Sequence, residues 1–291
     1  MDAKNISPNI NSSQKLWRYM SLDKLINLLD SETLFFTPVN SYAKTDPFEG
    51  LIPRVGLDAL GKIFKESQDM IMRDLRAMKE SALKNSPMKN TLPQVVIEKL
   101  EELEEDISNH PKRMDAVFFN IMRNVVVNCW HQNDYESEAM WKLYSDLSKG
   151  IAIETTAGSL IDSVVDEKSH RIFFSEVQYI DFDSPQIRPQ DCVVNGTLGI
   201  LLKRIAFKHE NEARLYFSPE KDYADAEKSK PAAEYVKVDV KKLIHKVYIS
   251  PYATEPFPSS VKCIMKKFGF PEDKVIVSKL LSPEDNLLRI F

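Results

Sequence analysis

The chain has few of the residues on which common catalytic motifs depend. Its 291 residues include only 8 glycines and 3 cysteines. No segment matches the phosphate-binding GxxxxGK[ST] pattern, the GxSxG nucleophile elbow or the HExxH zinc motif. Cys129, Cys192 and Cys263 lie far apart without CxxC spacing, which indicates buried thiols in a reducing compartment rather than disulfides or a zinc cluster. These hydrolase classes are therefore unsupported, and we expect no metal.

Neither a dominant sign of charge nor a long apolar run is present. The 39 basic and 43 acidic side chains give a net charge of -4, so the overall positive field of a general nucleic-acid binder is missing. No run approaches the roughly 18 apolar residues of a membrane span. Residues 1–14 are polar and lack the features of a signal peptide. We expect a cytoplasmic protein without a membrane partner, whose tail of residues 1–14 is disordered.

The hydrophobic content is sufficient for a sizeable core. Hydrophobic residues make up 43% and aromatic residues 10% of the chain, well outside the disordered regime. Short apolar runs alternate with helical stripes, which predicts an α+β fold with a mixed central sheet and flanking helices, in a single domain over residues 15–291. Charged helical spacing over about residues 55–123, interrupted near 85–93, predicts a helical insert.

Periodicity assigns most of the remaining elements. Strands are predicted at residues 16–20, 33–37, 125–127, 151–154, 171–182, 235–238, 246–249 and 274–277. Helices are predicted after Ser21 over residues 22–29, and at 138–147, 197–207 and 259–268. The segment 209–217 is expected to be extended towards its end.

Two glutamates in this last segment are candidate site residues. On an extended chain, Glu210, Glu212 and Arg214 point to the same face. Neighbouring carboxylates need a cation, a hydroxyl hydrogen bond or a shared proton to relieve their repulsion. The pattern fits a functional site or an ion-pair ladder, and both interpretations stay open.

Acidic residues earlier in the chain allow a second hypothesis. Asp46 and Glu49 lie in the loop after the second predicted strand. Together with the two late glutamates they could form an oxygen-rich magnesium site, as in a phosphodiester or nucleotide hydrolase.

Four blocks, in this order, resemble the signature of bacterial domain-of-unknown-function family 2971. They are residues 16–21 (LWRYMS), 35–38 (FFTP) with 46–49 (DPFE), 140–144 (MWKLY) with 150–154 (GIAIE), and 210–214 (ENEAR). The resemblance covers the chain from about residue 16 to the C-terminal strand, without the helical insert. That family has no settled activity, so the resemblance implies a fold more than a reaction.

The layout is also similar, more remotely, to that of ADP-ribosyltransferases. Those enzymes place a basic residue on a first strand, a small polar motif on a middle strand and a glutamate on a later one. The resemblance gives the first role to Arg18 and the last to Glu212 with Glu210, and it places the middle motif at residues 128–131. It implies an enzyme that consumes NAD as substrate and modifies a macromolecular acceptor, in phage defence or a stress response.

The chemistry of NAD cleavage gives the catalytic candidates their expected roles. The bond to nicotinamide breaks through an oxocarbenium-like state, which the carboxylate of Glu212 would stabilise. Arg18 and the helix N-terminus after Ser21 would receive the pyrophosphate.

Aromatic candidates complete the predicted NAD-binding set. The ring of Tyr19 or Tyr144 would pack on nicotinamide. Trp141 and Tyr144 share a helical face, which fits core packing or a ligand pocket. We count Arg214 among the predicted NAD-binding residues because it shares a face with Glu210 and Glu212. A non-enzymatic sensor or interaction module, in which the same pocket binds a nucleotide ligand without chemistry, is the third hypothesis.

Overall fold

The computed structural model describes residues 5–44, 46–85, 92–165, 170–219 and 232–282. The predicted α+β class is confirmed, since a mixed, open central sheet is flanked by helices. Within these ranges no helix combines the length and apolar character needed to cross a membrane.

The elements follow in chain order. The strands are β1 (Lys15–Ser21), β2 (Thr33–Pro38), β3 (Val126–Gln132), β4 (Gly150–Thr156), β5 (Phe173–Glu176), β6 (Gln178–Ile180), β7 (Val193–Val194), β8 (Thr197–Leu198), β9 (Leu202–Arg204), β10 (Glu212–Phe217), β11 (Glu234–Lys237), β12 (Lys246–Ile249) and β13 (Val275–Val277). The helices are α1 (Leu22–Ser31), α2 (Arg54–Lys84), α3 (Gln94–Asn124), α4 (Glu138–Tyr144), α5 (Ala157–Ser163), α6 (Val240–Leu243) and α7 (Phe257–Lys267). Within the described residues, 3₁₀ segments cover Val39–Lys44, Pro189–Cys192, Ile205–Glu210 and Glu272–Lys274.

The opening strand-to-helix unit forms as the apolar spacing predicts. Leu25, Leu28 and Leu29 lie on one stripe of α1 and are buried against the sheet. The helix ends at Glu32, whose left-handed backbone (φ 51°) reverses the chain. The chain therefore enters β2 directly and returns along the sheet.

The nine-stranded sheet has β3 at its centre. Along one path the order is β11-β2-β3-β1-β4-β12-β13, while β10 pairs with the other edge of β3 and β5 pairs with β10. All pairs are antiparallel except β12 with β13, which makes the sheet mixed. The three strands β1, β3 and β10 are thus immediate neighbours.

Register decides which side chains share a face of these three strands. Trp17 and Glu212 both lie opposite His131, and Arg214 lies opposite Cys129, so these residues point to one face. The alternate residues, including Leu16, Met20, Trp130, Ala213 and Leu215, point to the other face and belong to the largest apolar core.

Two strands share one edge of β3. β1 pairs only with residues 131–132, and β2 pairs only with residues 126–127. Among the described residues, 128–130 therefore have no strand partner on this edge. Asn128 fills part of the space by donating to the carbonyl of Phe35 (2.9 Å) and accepting from Trp130 Nε1 (2.7 Å). We call residues 128–130 of β3 and the facing Arg18 of β1 the strand gap.

The predicted helical insert is a hairpin of two long helices. α2 and α3 span 31 residues each, and the interruption predicted at 85–93 falls between them, largely outside the described residues. Lys79 Nζ approaches the Glu104 carboxylate at 3.6 Å across the pair. The base of the hairpin joins the body where Gly56 lies against Cys192.

Two local predictions are wrong. Residues 197–207 form β8, β9 and the start of a 3₁₀ segment instead of a helix, because Gly196 and Gly199 adopt positive φ angles (74° and 72°) that break a helix before it begins. The described part of the tail, residues 5–14, is docked rather than disordered. Ile6 forms a bridge with Phe174, and the amide of Ser7 donates to the carbonyl of the same residue at 2.9 Å.

Candidate functional site

A buried ion cluster lies on the face of β10 that carries Glu212. At its centre, Lys203 of β9 reaches the carboxylates of Glu49 (3.5 Å), Glu210 and Glu212 (3.3 Å) with its ammonium group. All four side chains are at most 9% exposed. Burial lowers the pKa of Lys203, but the surrounding carboxylates outweigh burial and raise it overall, so the amine is charged at neutral pH.

Arg214 holds Glu212 from the same strand. Its Nε and Nη2 donate to the two carboxylate oxygens of Glu212 at 3.1 and 2.9 Å, a bidentate pair. Its Nη1 donates to Glu49 and to the carbonyl of Ile200, both at 2.6 Å. Arg214 is 1% exposed, so its donors are directed at protein atoms and not at a ligand.

The cluster contains more acidic than basic side chains. Burial raises the pKa of Glu212, but Arg214 and Lys203 outweigh burial and lower it to about 2. Glu49 and Glu210 bring the acidic side chains of the cluster to three, against the two basic side chains of Lys203 and Arg214. Such an arrangement favours a positive charge that develops nearby.

Two phenols cover the cluster. Tyr144 of α4 donates its hydroxyl to Glu210, while its ring is partly exposed. Tyr179 of β6 accepts at its hydroxyl from the amide of Glu212 at 2.9 Å. Burial and the neighbouring carboxylates raise the pKa of both phenols, so both are neutral.

Cys129 links the middle strand to Glu212. Burial raises the pKa of its thiol, which therefore stays protonated, and the thiol interacts electrostatically with the Glu212 carboxylate. The resemblance to ADP-ribosyltransferases implies a small polar motif in this part of the chain. A thiol stands there where a hydroxyl is expected.

His131 adjoins the cluster on the side of β1. Its Nδ1 lies 2.5 Å from the carbonyl of Glu210, which can only accept, so Nδ1 carries the hydrogen. Burial lowers the pKa of this imidazole, which leaves Nε2 as a buried acceptor that has no partner among the described residues. The ring of Tyr19 lies edge-on to the imidazole, with 6.2 Å between the ring centroids, and edge-on to Trp141, with 5.0 Å between the centroids.

Arg18 occupies the strand gap on the opposite face of β1. Its guanidinium lies 5.6 Å from the centroid of the Trp130 ring, and it makes no hydrogen bond or ion pair within the described residues. Burial lowers its pKa, and the Cys129 thiol and the Tyr42 phenol interact with it electrostatically. Both of these groups also interact electrostatically with Glu212.

The structure brings together part of the predicted site. Glu210, Glu212, Arg214 and Tyr144 converge in the ion cluster, but not as predicted. Glu210 ends a 3₁₀ segment and Asn211 adopts a left-handed backbone (φ 38°), so the two glutamates meet through Lys203 rather than along one strand. The i, i+2 relation holds only for Glu212 and Arg214.

Three other candidates are engaged elsewhere. Trp141 is fully buried and Tyr19 is 7% exposed, so both rings are packed in an aromatic cluster instead of lining a pocket. Ser21 caps no amide of α1 with its side chain, and the carboxylate of Asp23 lies in the first turn of the helix. A carboxylate there would repel a pyrophosphate at the same helix N-terminus.

The carboxylates of the magnesium hypothesis are only partly assembled. Glu49 joins the two late glutamates, but the ammonium of Lys203 lies between their oxygens. Asp46 lies apart and accepts from Arg204 Nη2 at 2.9 Å. No group of three or more histidine, cysteine, aspartate or glutamate side chains with metal-binding geometry occurs in the described ranges.

The sequence patterns did not predict Lys203 or Tyr179 as members of the site. Lys203 was assigned to a helix, and a lone lysine after the apolar run 200–202 carries no motif. The two glycines that precede this run, Gly196 and Gly199, were the available signal for extended structure.

Comparison of this chain with protein-family models, curated proteins and solved structures finds no match.

Proposed function

We propose that this protein is an NAD-consuming, ADP-ribosyltransferase-like enzyme. In this proposal the diphosphate of NAD binds at the strand gap, and Glu212 stabilises the charge that develops as the bond to nicotinamide breaks. The ADP-ribose would pass to a protein or nucleic-acid acceptor, or to water.

The observation that carries the proposal is the guanidinium of Arg18. A partly buried cation without a hydrogen-bonding partner costs several kcal/mol of stability, and Arg18 has none among the described residues. Its guanidinium lies against the face of Trp130, and within the described residues its five N–H donors have no hydrogen-bond acceptor. A diphosphate accepts such donors in charge-assisted pairs.

The order of the strands supports the same ligand. The three strands to which the resemblance assigns the basic, polar and acidic motifs are the neighbours β1, β3 and β10. Adjacent strands lie about 4.8 Å apart, so the backbones at Arg18 and Glu212 are about 10 Å apart. An extended dinucleotide spans that distance. Since the two side chains point to opposite faces, the ligand would pass through the strand gap, beside Cys129 and Tyr42.

Each side chain of the cluster then has a defined task. Glu212 stays ionised at neutral pH, as electrostatic stabilisation of an oxocarbenium-like state requires. Arg214 positions that carboxylate and does not touch the substrate. Tyr144, a residue that is 46% exposed, is the aromatic side chain that can meet nicotinamide.

The test is release of nicotinamide from labelled NAD by purified protein, with and without cell extract as a source of acceptors. We expect release by the wild type and loss of at least about 100-fold in Glu212→Gln, which keeps the shape of the side chain but not its charge. Glu272→Gln, at an exposed carboxylate in a 3₁₀ segment, is the matched control and should release nicotinamide normally. NAD binding without any release would favour the sensor hypothesis instead.

A further inference from the structure

The hairpin of α2 and α3 has an exposed apolar side. On α2, Ile63, Met70 and Met78 are 58%, 53% and 68% exposed. On α3, Val96 and Leu103 are 39% and 48% exposed. Spacings of seven and eight residues keep such side chains on one face of a helix. These five residues define the apolar side.

Contacts within the hairpin show that both stripes lie on the same side. Gln68 donates to the carbonyl of Ile107 at 3.1 Å, and Lys79 approaches Glu104, so these positions mark where the helices face each other. Each residue turns the helix by about 100°. On α2 the apolar residues are therefore rotated about the helix axis by about a third of a turn from the positions that face α3. On α3 the corresponding rotation, from the positions that face α2, is about a sixth of a turn. The rotation has the same sense on both helices, and in an antiparallel pair it brings both stripes to one side.

The other side of the hairpin is polar. A shallow groove there is lined by charged side chains of α2, namely Glu66, Asp69, Arg73 and Arg76. Because one side is charged and the other apolar, solvation alone does not explain the sequence of α2. A face with this composition is typical of an interface.

We propose that the apolar side is a dimer interface, where the hairpins of two copies of this chain stack into a four-helix bundle with α2 of one copy on α3 of the other. The net charges of the two helices favour this arrangement. α2 has seven basic and five acidic side chains, whereas residues 94–109 of α3 have six acidic and one basic. A two-fold axis parallel to the helices places the basic α2 on the acidic α3, while stacking α2 on α2 would bring like net charges together.

The test is sedimentation equilibrium of the full chain at micromolar concentrations. The wild type should be a dimer. Ile63→Glu with Met70→Glu should raise the dimer dissociation constant by at least about tenfold, because two charges would be buried at the interface. Lys65→Gln with Arg76→Gln changes the net charge by the same amount on the polar side and should remain dimeric.

Two further results decide the arrangement. Leu103→Glu on α3 should also weaken the dimer, since both helices form the interface. Circular dichroism and thermal melting should show that each variant stays folded, as expected for side chains that are about half exposed or more. A wild type that is monomeric throughout, or folded Ile63→Glu/Met70→Glu or Leu103→Glu variants that dimerise normally, would overturn the proposal.

Discussion

The guanidinium of Arg214 and the carboxylate of Glu212 form a bidentate pair on one face of β10, with donor distances of 3.1 and 2.9 Å. The remaining nitrogen of Arg214 donates to Glu49, which connects β10 to the loop after the 3₁₀ segment Val39–Lys44. Arg214 therefore positions Glu212 and, through Glu49, also holds this loop against β10.

Glu49→Ala should destabilise the protein. The substitution leaves Nη1 of Arg214 buried without its anion and removes one of the three carboxylates around Lys203. Loss of one partner from a buried pair costs about 3 kcal/mol of unfolding free energy. Urea denaturation measures this loss, and exposed Glu272→Ala serves as control. A loss below about 1 kcal/mol would show that the pair contributes little.

Stability should fall in acid because of Glu212. Its pKa is lowered from 4.5 to about 2 in the folded protein, so the unfolded chain binds the proton more readily. The contribution, about 3 kcal/mol, is complete above pH 4.5 and is lost as the pH falls towards 2. Urea midpoints at a series of pH values should show a shallower acid slope for Glu212→Gln than for the wild type. Equal slopes would contradict the assigned ionisation.

Divalent cations should not stabilise the wild type. The ammonium of Lys203 lies between the oxygens that would bind magnesium. A bound ion raises the melting temperature by mass action, so melting curves with magnesium, manganese or a chelator should coincide. A rise with either metal would revive the phosphodiester-hydrolase hypothesis.

Much of the fold follows from periodicity, because local apolar spacing dictates which residues can be buried. The stripe of Leu25, Leu28 and Leu29 predicted α1, and the two long insert helices were confirmed. The helix predicted over residues 197–207 was wrong because its apolar residues have no clear period. The positive φ angles of Gly196 and Gly199 decide the conformation there.

The site could be predicted less well, since it depends on contacts between distant segments. Glu212 and Arg214 are joined by the two-residue spacing of one strand, which the sequence shows. Lys203 and Glu49 reach them only through tertiary packing. The face of Arg18 depends on register, which a single sequence leaves open.

Cys129 should act through its electrostatic interaction with Glu212. Cys129→Ser keeps a donor at this position and should release nicotinamide at close to the wild-type rate, whereas Cys129→Ala should be slower by about tenfold. The rates in the labelled-NAD assay, with melting temperatures as a check on folding, measure the difference. Equal rates for the two variants would remove Cys129 from the site.

The most direct measurement is calorimetric titration of NAD into the wild type and Arg18→Met, with Lys15→Met, an exposed lysine on the same strand, as control. We predict that NAD binds to the wild type and to the control, and that Arg18→Met weakens binding by at least about tenfold because it removes the charge that would pair with the diphosphate. Its melting temperature should not fall, since this guanidinium forms no hydrogen bond within the described residues. Absence of NAD binding by the wild type at millimolar concentration, or unchanged binding together with a lower melting temperature in Arg18→Met, would contradict the account.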